Sequence, residues 1–116
     1  MRVLVCGGRE WSDYKAIERE LSSLPVNSTV IHGGARGADS HAGQAASVLN
    51  YSVEAYLADW DRYGKSAGPI RNQKMLTEGQ PDLVLAFHSD LTKSKGTIHM
   101  MAIAAKAGVP VKLFGR

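Results

Sequence analysis

Cysteine is almost absent from this chain of 116 residues, which contains Cys6 alone. One cysteine cannot form an internal disulfide, so the sequence indicates a reducing compartment, and we expect a cytoplasmic location. Cys6 lies in an apolar run typical of a strand, where a thiol usually packs in the core rather than reacting. The sequence therefore gives little support to a disulfide scaffold or a cysteine nucleophile.

Long hydrophobic runs are also missing. No apolar stretch approaches the roughly 18 to 20 residues that a membrane-spanning helix requires, so we expect no membrane partner. The first apolar stretch, RVLVC, runs directly into glycines and lacks the longer apolar region and cleavage site of a signal peptide. We therefore assign it to a first strand.

Net charge and aromatic content are both modest. The formal net charge is +3, and aromatic residues make up 7% of the chain. The tryptophans and tyrosines are scattered, whereas a groove for single-stranded DNA usually combines stacking aromatic residues with stronger positive charge. Single-stranded DNA binding is therefore a third hypothesis. The histidines have no spacing typical of a metal site, so we expect neither a metal nor a resident cofactor.

What the sequence does contain is a regular alternation of strand and helix signals. Apolar runs predict strands near residues 2–6, 28–32, 52–58, 82–87 and 110–114. Helices are predicted at 12–24, with Ser12 as the N-cap, and at 38–49, 69–79 and 96–108, with a polar loop at 59–68. Short connections between alternating elements predict a single domain over residues 1–116 of the α/β class, a doubly wound, parallel five-stranded sheet that is Rossmann-like.

In such sheets ligands bind beyond the carboxyl ends of the strands, so the loops after the first four strands should converge on one site. Those loops are GGREW, GGARGAD, DWDRYGKSAGPIRN and HSDLTKSKGT. In the second loop, Gly33 and Gly34 let the backbone turn sharply and a ligand approach closely. Arg36 can contact a phosphate, and Gly37 begins a helix whose N-terminus favours an anion. The alternative is a tight turn whose glycines serve geometry alone.

The fourth loop has a similar composition. Gly96 and Thr97 begin a helix, and the Ser94 hydroxyl and the ammonium groups of Lys93 and Lys95 are near in sequence. Two helix N-termini that favour anions at one sheet edge predict a phosphate at one and a ribose or second phosphate at the other. For Lys93 and Lys95 the alternative is a solvated position in a mobile loop.

The series HGGARGAD, ADW and GPIRN, preceded by GGREW and followed by GT at the start of the last helix, resembles the SLOG superfamily. This Rossmann-like group includes the DNA-processing protein DprA and the cytokinin-activating LOG phosphoribohydrolases. The similarity covers nearly the whole chain and is strongest to the small YspA-like branch, common in bacteria and phages. It implies a nucleotide or nucleotide-derived ligand and a homo-oligomer. The helix TIHMMAIAAKA, apolar around most of its circumference, also favours a dimer or tetramer, with a central place in the monomer as the alternative.

The resemblance also bears on catalysis. LOG enzymes cleave the N-glycosidic bond of a nucleoside monophosphate with an arginine, matched here by Arg71, and a glutamate in the motif PGGxGTxxE. In this chain SDLTKSKGTIHM places His99 at the glutamate position. Cleavage builds positive charge on the ribose, which a neutral imidazole does not stabilise as a carboxylate does. The sequence therefore favours a binder over an enzyme, and a nucleotide N-glycosidase that uses Arg71 with Asp59 or Asp39 is the alternative.

We therefore expect the chain to bind, as a sensor or by sequestration, a nucleotide-derived small molecule such as an ADP-ribose or a nucleoside phosphate. Arg71 and Asp59 are the candidate catalytic residues, with capping of its loop as the alternative role of Asp59. Trp60 is a candidate stacking residue, with simple packing as the alternative. The residues expected to contact the ligand are Gly7, Gly8, Arg9, Gly33, Gly34, Ala35, Arg36, Gly37, Asp39, Asp59, Trp60, Arg71, Asn72, Ser94, Lys95, Gly96 and Thr97.

Overall fold

Five parallel strands form the centre of the fold in a computed structural model that describes residues 1–115. The strands are β1 (Arg2–Gly7), β2 (Thr29–His32), β3 (Ser52–Ala55), β4 (Leu83–Phe87) and β5 (Val111–Phe114). Their order in the sheet is β3-β2-β1-β4-β5, and every neighbouring pair runs parallel. The predicted five-stranded, Rossmann-like sheet is confirmed.

Residues 1–115 contain five α-helices, four of which cover the two faces of this sheet. They are α1 (Tyr14–Ser22), α2 (Ala38–Val48), α3 (Trp60–Tyr63), α4 (Ala67–Gly79) and α5 (Lys95–Lys106). Helices α1 and α2 pack on one face, and α4 and α5 pack on the other. None of these helices is both long and apolar enough to cross a lipid bilayer.

Strand β1 is buried on both sides because its side chains alternate between the two faces. Val3 and Val5 belong to the core under α1 and α2, whereas Leu4 and Cys6 belong to the core under α4 and α5. A strand covered by helices on both faces needs a continuous apolar run, which is the pattern that RVLVC shows.

The N-cap of α1 is Asp13, so the prediction of Ser12 was wrong. The Oδ1 atom of Asp13 accepts a hydrogen bond from the amide of Ala16 at 3.1 Å. Serine and aspartate are both favoured at N-caps. The neighbouring Trp11 sets the helix entry, because its indole N–H donates to the Asp13 carbonyl at 3.0 Å.

The sequence predicted a polar loop at 59–68, and this prediction was wrong. The stretch contains α3 and a 3-10 turn at Gly64–Ser66. Asp59 caps α3 by accepting the amide of Arg62 at 3.1 Å. Helix α4 then begins at Ala67, two residues before Pro69. Proline is tolerated there because the first amides of a helix have no partner within it.

The strand order places a reversal of winding between β1 and β4. The chain adds β2 and β3 on one side of β1, and then adds β4 and β5 on the other. Ligand crevices of doubly wound sheets open outside the carboxyl ends of the strands at this point. The ends of β1 and β4 lie so close together here that a Cβ added at Gly7 would collide with the Phe87 carbonyl.

Helix α5 buries Met100 and Ala104 completely against the sheet, while Ile98 on the same helix is 46% exposed. Packing within the monomer, the alternative to an oligomer, thus covers part of the apolar surface of α5. The homo-oligomer remains a prediction.

Gly37 and Gly64 offer a matched test of how closely the loops after β1 and β2 pack. Both have positive φ, at 77° and 55°, with ψ at −126° and −130°, so alanine strains the backbone similarly at either position. A Cβ at Gly37 would also lie 2.5 Å from the Arg9 carbonyl oxygen, whereas one at Gly64 would meet nothing within 4 Å. We expect Gly37→Ala to lower the free energy of unfolding by about 1 to 3 kcal/mol more than Gly64→Ala, measured by urea denaturation. Equal losses in the two variants would contradict this close packing.

Candidate functional site

A cavity of about 560 Å³ opens at the β1–β4 crevice, and we call it the main cavity. The loops after β1, β2 and β4 and the N-terminal parts of α2, α4 and α5 form its walls. The predicted ligand-contacting residues that line it are Gly7, Gly8, Arg9, Ala35, Arg36, Asp39, Arg71, Asn72, Ser94, Lys95, Gly96 and Thr97. The fold thus brings residues from all four of the loops that the sequence placed at one edge to this cavity.

A second cavity of about 510 Å³, the side cavity, lies beside it above β2 and β3. Its own lining residues are Gly33, Gly34, Leu57, Ala58 and Trp60. Four residues, Arg9, Ala35, Arg36 and Arg71, line both cavities. The predicted contacts Gly33, Gly34 and Trp60 therefore belong to this neighbouring space.

Two predicted site residues, Gly37 and Asp59, line neither cavity. The backbone of Gly37 packs against Gly8 and Arg9, and the Ala38 amide donates to the Gly8 carbonyl at 3.1 Å. Asp59 is exposed, and its carboxylate is engaged in capping α3. The structure gives both residues local structural roles.

The main cavity is also lined by residues that were not predicted as ligand contacts. They are Cys6, Glu10, Trp11, Met75, His88, Ser89, Asp90 and Lys93. The segment after β4 was identified as a site loop, but its first residues carried no motif. The Nδ1 atom of His88 accepts the Asp90 amide at 2.9 Å, so this turn is ordered by its own side chain. The signal that the sequence offered for these first residues was their position immediately after the buried strand β4.

Asp39 is the buried acidic group of the site, with a relative exposure of 7%. Its Oδ2 atom accepts hydrogen bonds from the amides of Gly33, at 2.9 Å, and Ala35, at 3.3 Å. The turn in which we expected a ligand phosphate or ribose is therefore held by the chain's own carboxylate. Its Oδ1 atom accepts no hydrogen bond within residues 1–115. Every fully buried side-chain oxygen of these residues has a partner, so Oδ1 is not fully buried. Since Asp39 lines the main cavity, Oδ1 is open to it.

Burial controls the ionisation of Asp39. Loss of solvent raises its pKa to about 6, although the loop amides and the positive charges of Arg71 and Arg9 act in the opposite direction. The same environment lowers the pKa of Arg71, mainly through burial and also through repulsion from Arg9. Arg9, Arg71 and Asp39 thus form one electrostatic cluster.

Arg71 is fixed by contacts to two different elements. Its Nη1 atom donates to the Gly33 carbonyl at 2.6 Å, and its Nε atom donates to the Asn72 side-chain oxygen at 3.0 Å. A Cβ at Gly33 would lie 2.8 Å from the guanidinium carbon of Arg71, so glycine is what permits this approach. The Nη2 atom donates to no atom of residues 1–115 and remains available for a ligand.

His99 supports Asn72 and does not line either cavity. The buried amide nitrogen of Asn72 donates to the Gly96 carbonyl at 3.2 Å and lies 3.2 Å from Nδ1 of His99. Since the amide nitrogen is a donor, Nδ1 acts as the acceptor and the neutral ring carries its proton on Nε2. A polar chain therefore runs from His99 through Asn72 to Arg71.

The N-terminus of α5 contributes donors to the main cavity. Ser94 caps the helix, accepting the Thr97 amide at 3.2 Å and donating its hydroxyl to Oγ1 of Thr97 at 2.8 Å. The first amides, from Lys95 and Gly96, precede any intrahelical partner. A Cβ at Gly96 would meet nothing within 4 Å. This end of the cavity thus combines open space with helix-dipole and lysine charge.

Cationic side chains outnumber acidic ones in the main cavity. The cations are Arg9, Arg36, Arg71, Lys93 and Lys95, and the acids are Glu10, Asp39 and Asp90. The Arg36–Glu10 pair, at 3.4 Å, is exposed and weak. The remaining excess of positive charge suits an anionic ligand.

The structure offers little for thiol or metal chemistry. Burial, and to a lesser degree Asp39, raises the pKa of the Cys6 thiol to about 12, so the reactive thiolate is disfavoured. Within residues 1–115 no three side chains of His, Cys, Asp or Glu come together as a metal site would require.

The chain belongs to the YspA, cpYpsA-related SLOG family, YAcAr, whose model matches residues 1–63. It is 43% identical over 123 residues to the Gene 61 protein of Mycobacterium phage D29, across 98% of this chain and 96% of that protein. Its fold is similar to the X-ray structure of DNA processing protein A (DprA) from Streptococcus pneumoniae, with a TM-score of 0.78 and 19% identity. That match covers 97% of this chain and 49% of the DprA chain, so this chain spans about half of DprA. The SLOG resemblance is confirmed.

Asp39→Asn tests the cost of burying the carboxylate. The folded pKa of about 6 lies above the ordinary value of 3.8, so the protonated form favours folding, and this contribution is lost as pH rises from about 4 to above 6. We expect the wild type to lose about 2 to 3 kcal/mol of unfolding free energy relative to Asp39→Asn between about pH 4 and pH 7.5. Urea denaturation across this range measures the difference, which would stay constant if Asp39 titrated as an exposed carboxyl group does.

Proposed function

We propose that this chain binds a nucleotide-derived small molecule, such as an ADP-ribose or a nucleoside phosphate, with its phosphate in the main cavity. The observation that carries the proposal is the excess of cationic over acidic side chains that line the main cavity. Membership of a SLOG family and the DprA-like fold support a nucleotide- or DNA-related role. Binding without turnover suits a sensor or a protein that sequesters its ligand.

Arg71 is the residue best placed to bind the phosphate. Because Gly33 and Asn72 already hold its guanidinium group, little side-chain entropy is lost when the free Nη2 meets an anion. Arg9 lies on the same side of the cavity and makes no ion pair or hydrogen bond through its side chain within residues 1–115. A phosphate between the two would relieve their mutual repulsion.

A nucleotide N-glycosidase is the second candidate, and Asp39 is the observation that favours it. A carboxyl group whose pKa is raised to about 6, beside an arginine in a cavity, has the properties of a general acid or base. In this hypothesis Asp39, rather than the exposed cap Asp59, acts with Arg71. Single-stranded DNA binding is the third candidate.

Incubation of the purified protein, at stoichiometric concentration, with AMP, NAD and ADP-ribose tests the proposal. We expect chromatography to show ligand retained intact, with retention lost in Arg71→Ala and affinity reduced about tenfold in Arg9→Ala, which removes a charge-assisted contact. The exposed Arg9 makes no fold-stabilising hydrogen bond, so this variant separates ligand binding from stability. Arg19→Ala, an exposed arginine on α1 outside both cavities, is the matched control and should bind as the wild type does.

Two outcomes would overturn the proposal. Free base and ribose phosphate that accumulate over many turnovers, and disappear in Asp39→Asn, would establish the hydrolase. Tighter binding of a dT oligonucleotide than of any of the three nucleotides, with steep salt dependence, would establish DNA as the ligand.

A further inference from the structure

The side cavity meets the main cavity along Arg9, Arg36 and Arg71, which line both. Arg36 is paired with Glu10, but Arg9 and Arg71 repel each other and share one nearby carboxylate, that of Asp39. Uncompensated positive charge therefore lies at the boundary between the cavities. An anion bound there would have open space on both sides of it.

The far wall of the side cavity is apolar and exposed. Trp60 is 50% exposed and Leu57 is 75% exposed, and neither belongs to the core. Leu57 lies against the backbone of Gly34, where a Cβ would collide with it. Trp60 begins α3, and a Cβ on Gly68 would lie 3.5 Å from its ring. Both side chains thus lie close to neighbouring segments, Leu57 over Gly34 and Trp60 near Gly68, while they remain open to solvent.

Within residues 1–115, the tryptophan that lines the main cavity offers less surface for a flat ring than Trp60 does. Trp11, which lines it, is only 6% exposed, and its ring packs at 5.6 Å from that of Phe87. Its indole N–H is already bonded to the Asp13 carbonyl. An exposed indole beside arginines, as at Trp60, is the arrangement that stacks a nucleobase.

We propose that the side cavity is the base-binding subsite and that the base stacks on Trp60 there. The inference rests on the proposed function and orients the ligand: the base lies on Trp60, its phosphate lies at Arg9 and Arg71, and a second group joined through phosphate extends toward α5. The ligand class is therefore a nucleotide that carries a phosphate-linked second group, and not a simple sugar phosphate.

Isothermal titration calorimetry with ribose 5-phosphate, AMP and ADP-ribose tests this orientation. We expect affinity to increase in that order for the wild type. Trp60→Ala should weaken AMP and ADP-ribose by about tenfold or more, because stacking is lost, while ribose 5-phosphate binds unchanged. Trp60→Phe, which keeps a ring, should recover most of the affinity.

Tyr63 provides the matched control. It is an aromatic residue of the same short helix, 39% exposed, and lines neither cavity. Tyr63→Ala should leave all three affinities within about twofold of the wild type. A melting curve for each variant identifies any loss of folding.

The outcomes separate this inference from the proposed function. If Trp60→Ala and Tyr63→Ala bind AMP equally well while Arg71→Ala does not bind it, the base lies elsewhere and the inference alone is wrong. If Arg71→Ala binds every probe as the wild type does, the proposed function fails as well. A dT oligonucleotide that displaces AMP, binds more tightly and requires Trp60 would overturn the small-molecule ligand in favour of DNA.

Discussion

The hydrogen bonds from the amides of Gly33 and Ala35 to the Asp39 carboxylate fix the loop on which both cavities depend. A buried carboxylate is costly unless its oxygens are paired, and here the backbone supplies the donors. The carbonyl of Gly33 then accepts from Arg71, so the same turn positions the cation that faces the ligand space. The Asp39 carboxylate is thus bound to the amide of Gly33, and the Arg71 guanidinium to the carbonyl of the same residue. A change at Gly33 therefore disturbs both charges at once.

This internal pairing also explains where an anion can bind. A glycine-rich turn that opens a helix ordinarily offers free amides to a phosphate. Here Asp39 takes the amides of Gly33 and Ala35, and the carbonyl of Gly8 takes that of Ala38. Further donors lie across the crevice, at the start of α5 and on the arginines. The chain's own carboxylate thus occupies two of the amides that this turn would otherwise offer to a phosphate.

The sheet and the meeting of its loops at one edge were predictable because both depend on patterns local in sequence: alternating strands and helices, and glycines at strand ends. The roles of the two acidic candidates were not. Asp39 and Asp59 each follow a strand and begin a helix, yet Asp39 is buried among loop amides while Asp59 caps the exposed helix α3. The difference depends on tertiary packing, which brings Arg71 of α4 beside Asp39 but leaves Asp59 with the Arg62 amide of its own helix. Leu57 was not predicted as a site residue, because its place in the wall of the side cavity depends on its contact with the backbone of Gly34, which is distant in sequence.

The balance between binding and hydrolysis rests on Asp39 more than on the residue at position 99. His99 lies behind Asn72 and reaches the site only by orienting Arg71, so its imidazole does not face the cavities. A carboxyl group that lines the main cavity is nevertheless present in Asp39. Its Oδ2 is committed to the loop, whereas Oδ1 is open to the main cavity. One atom of this side chain therefore maintains the architecture, and the other is free to accept a ribose hydroxyl or to exchange a proton. In the two functions proposed above, Oδ1 is therefore the atom whose role differs: it accepts a hydrogen bond in a binder and exchanges a proton in a hydrolase.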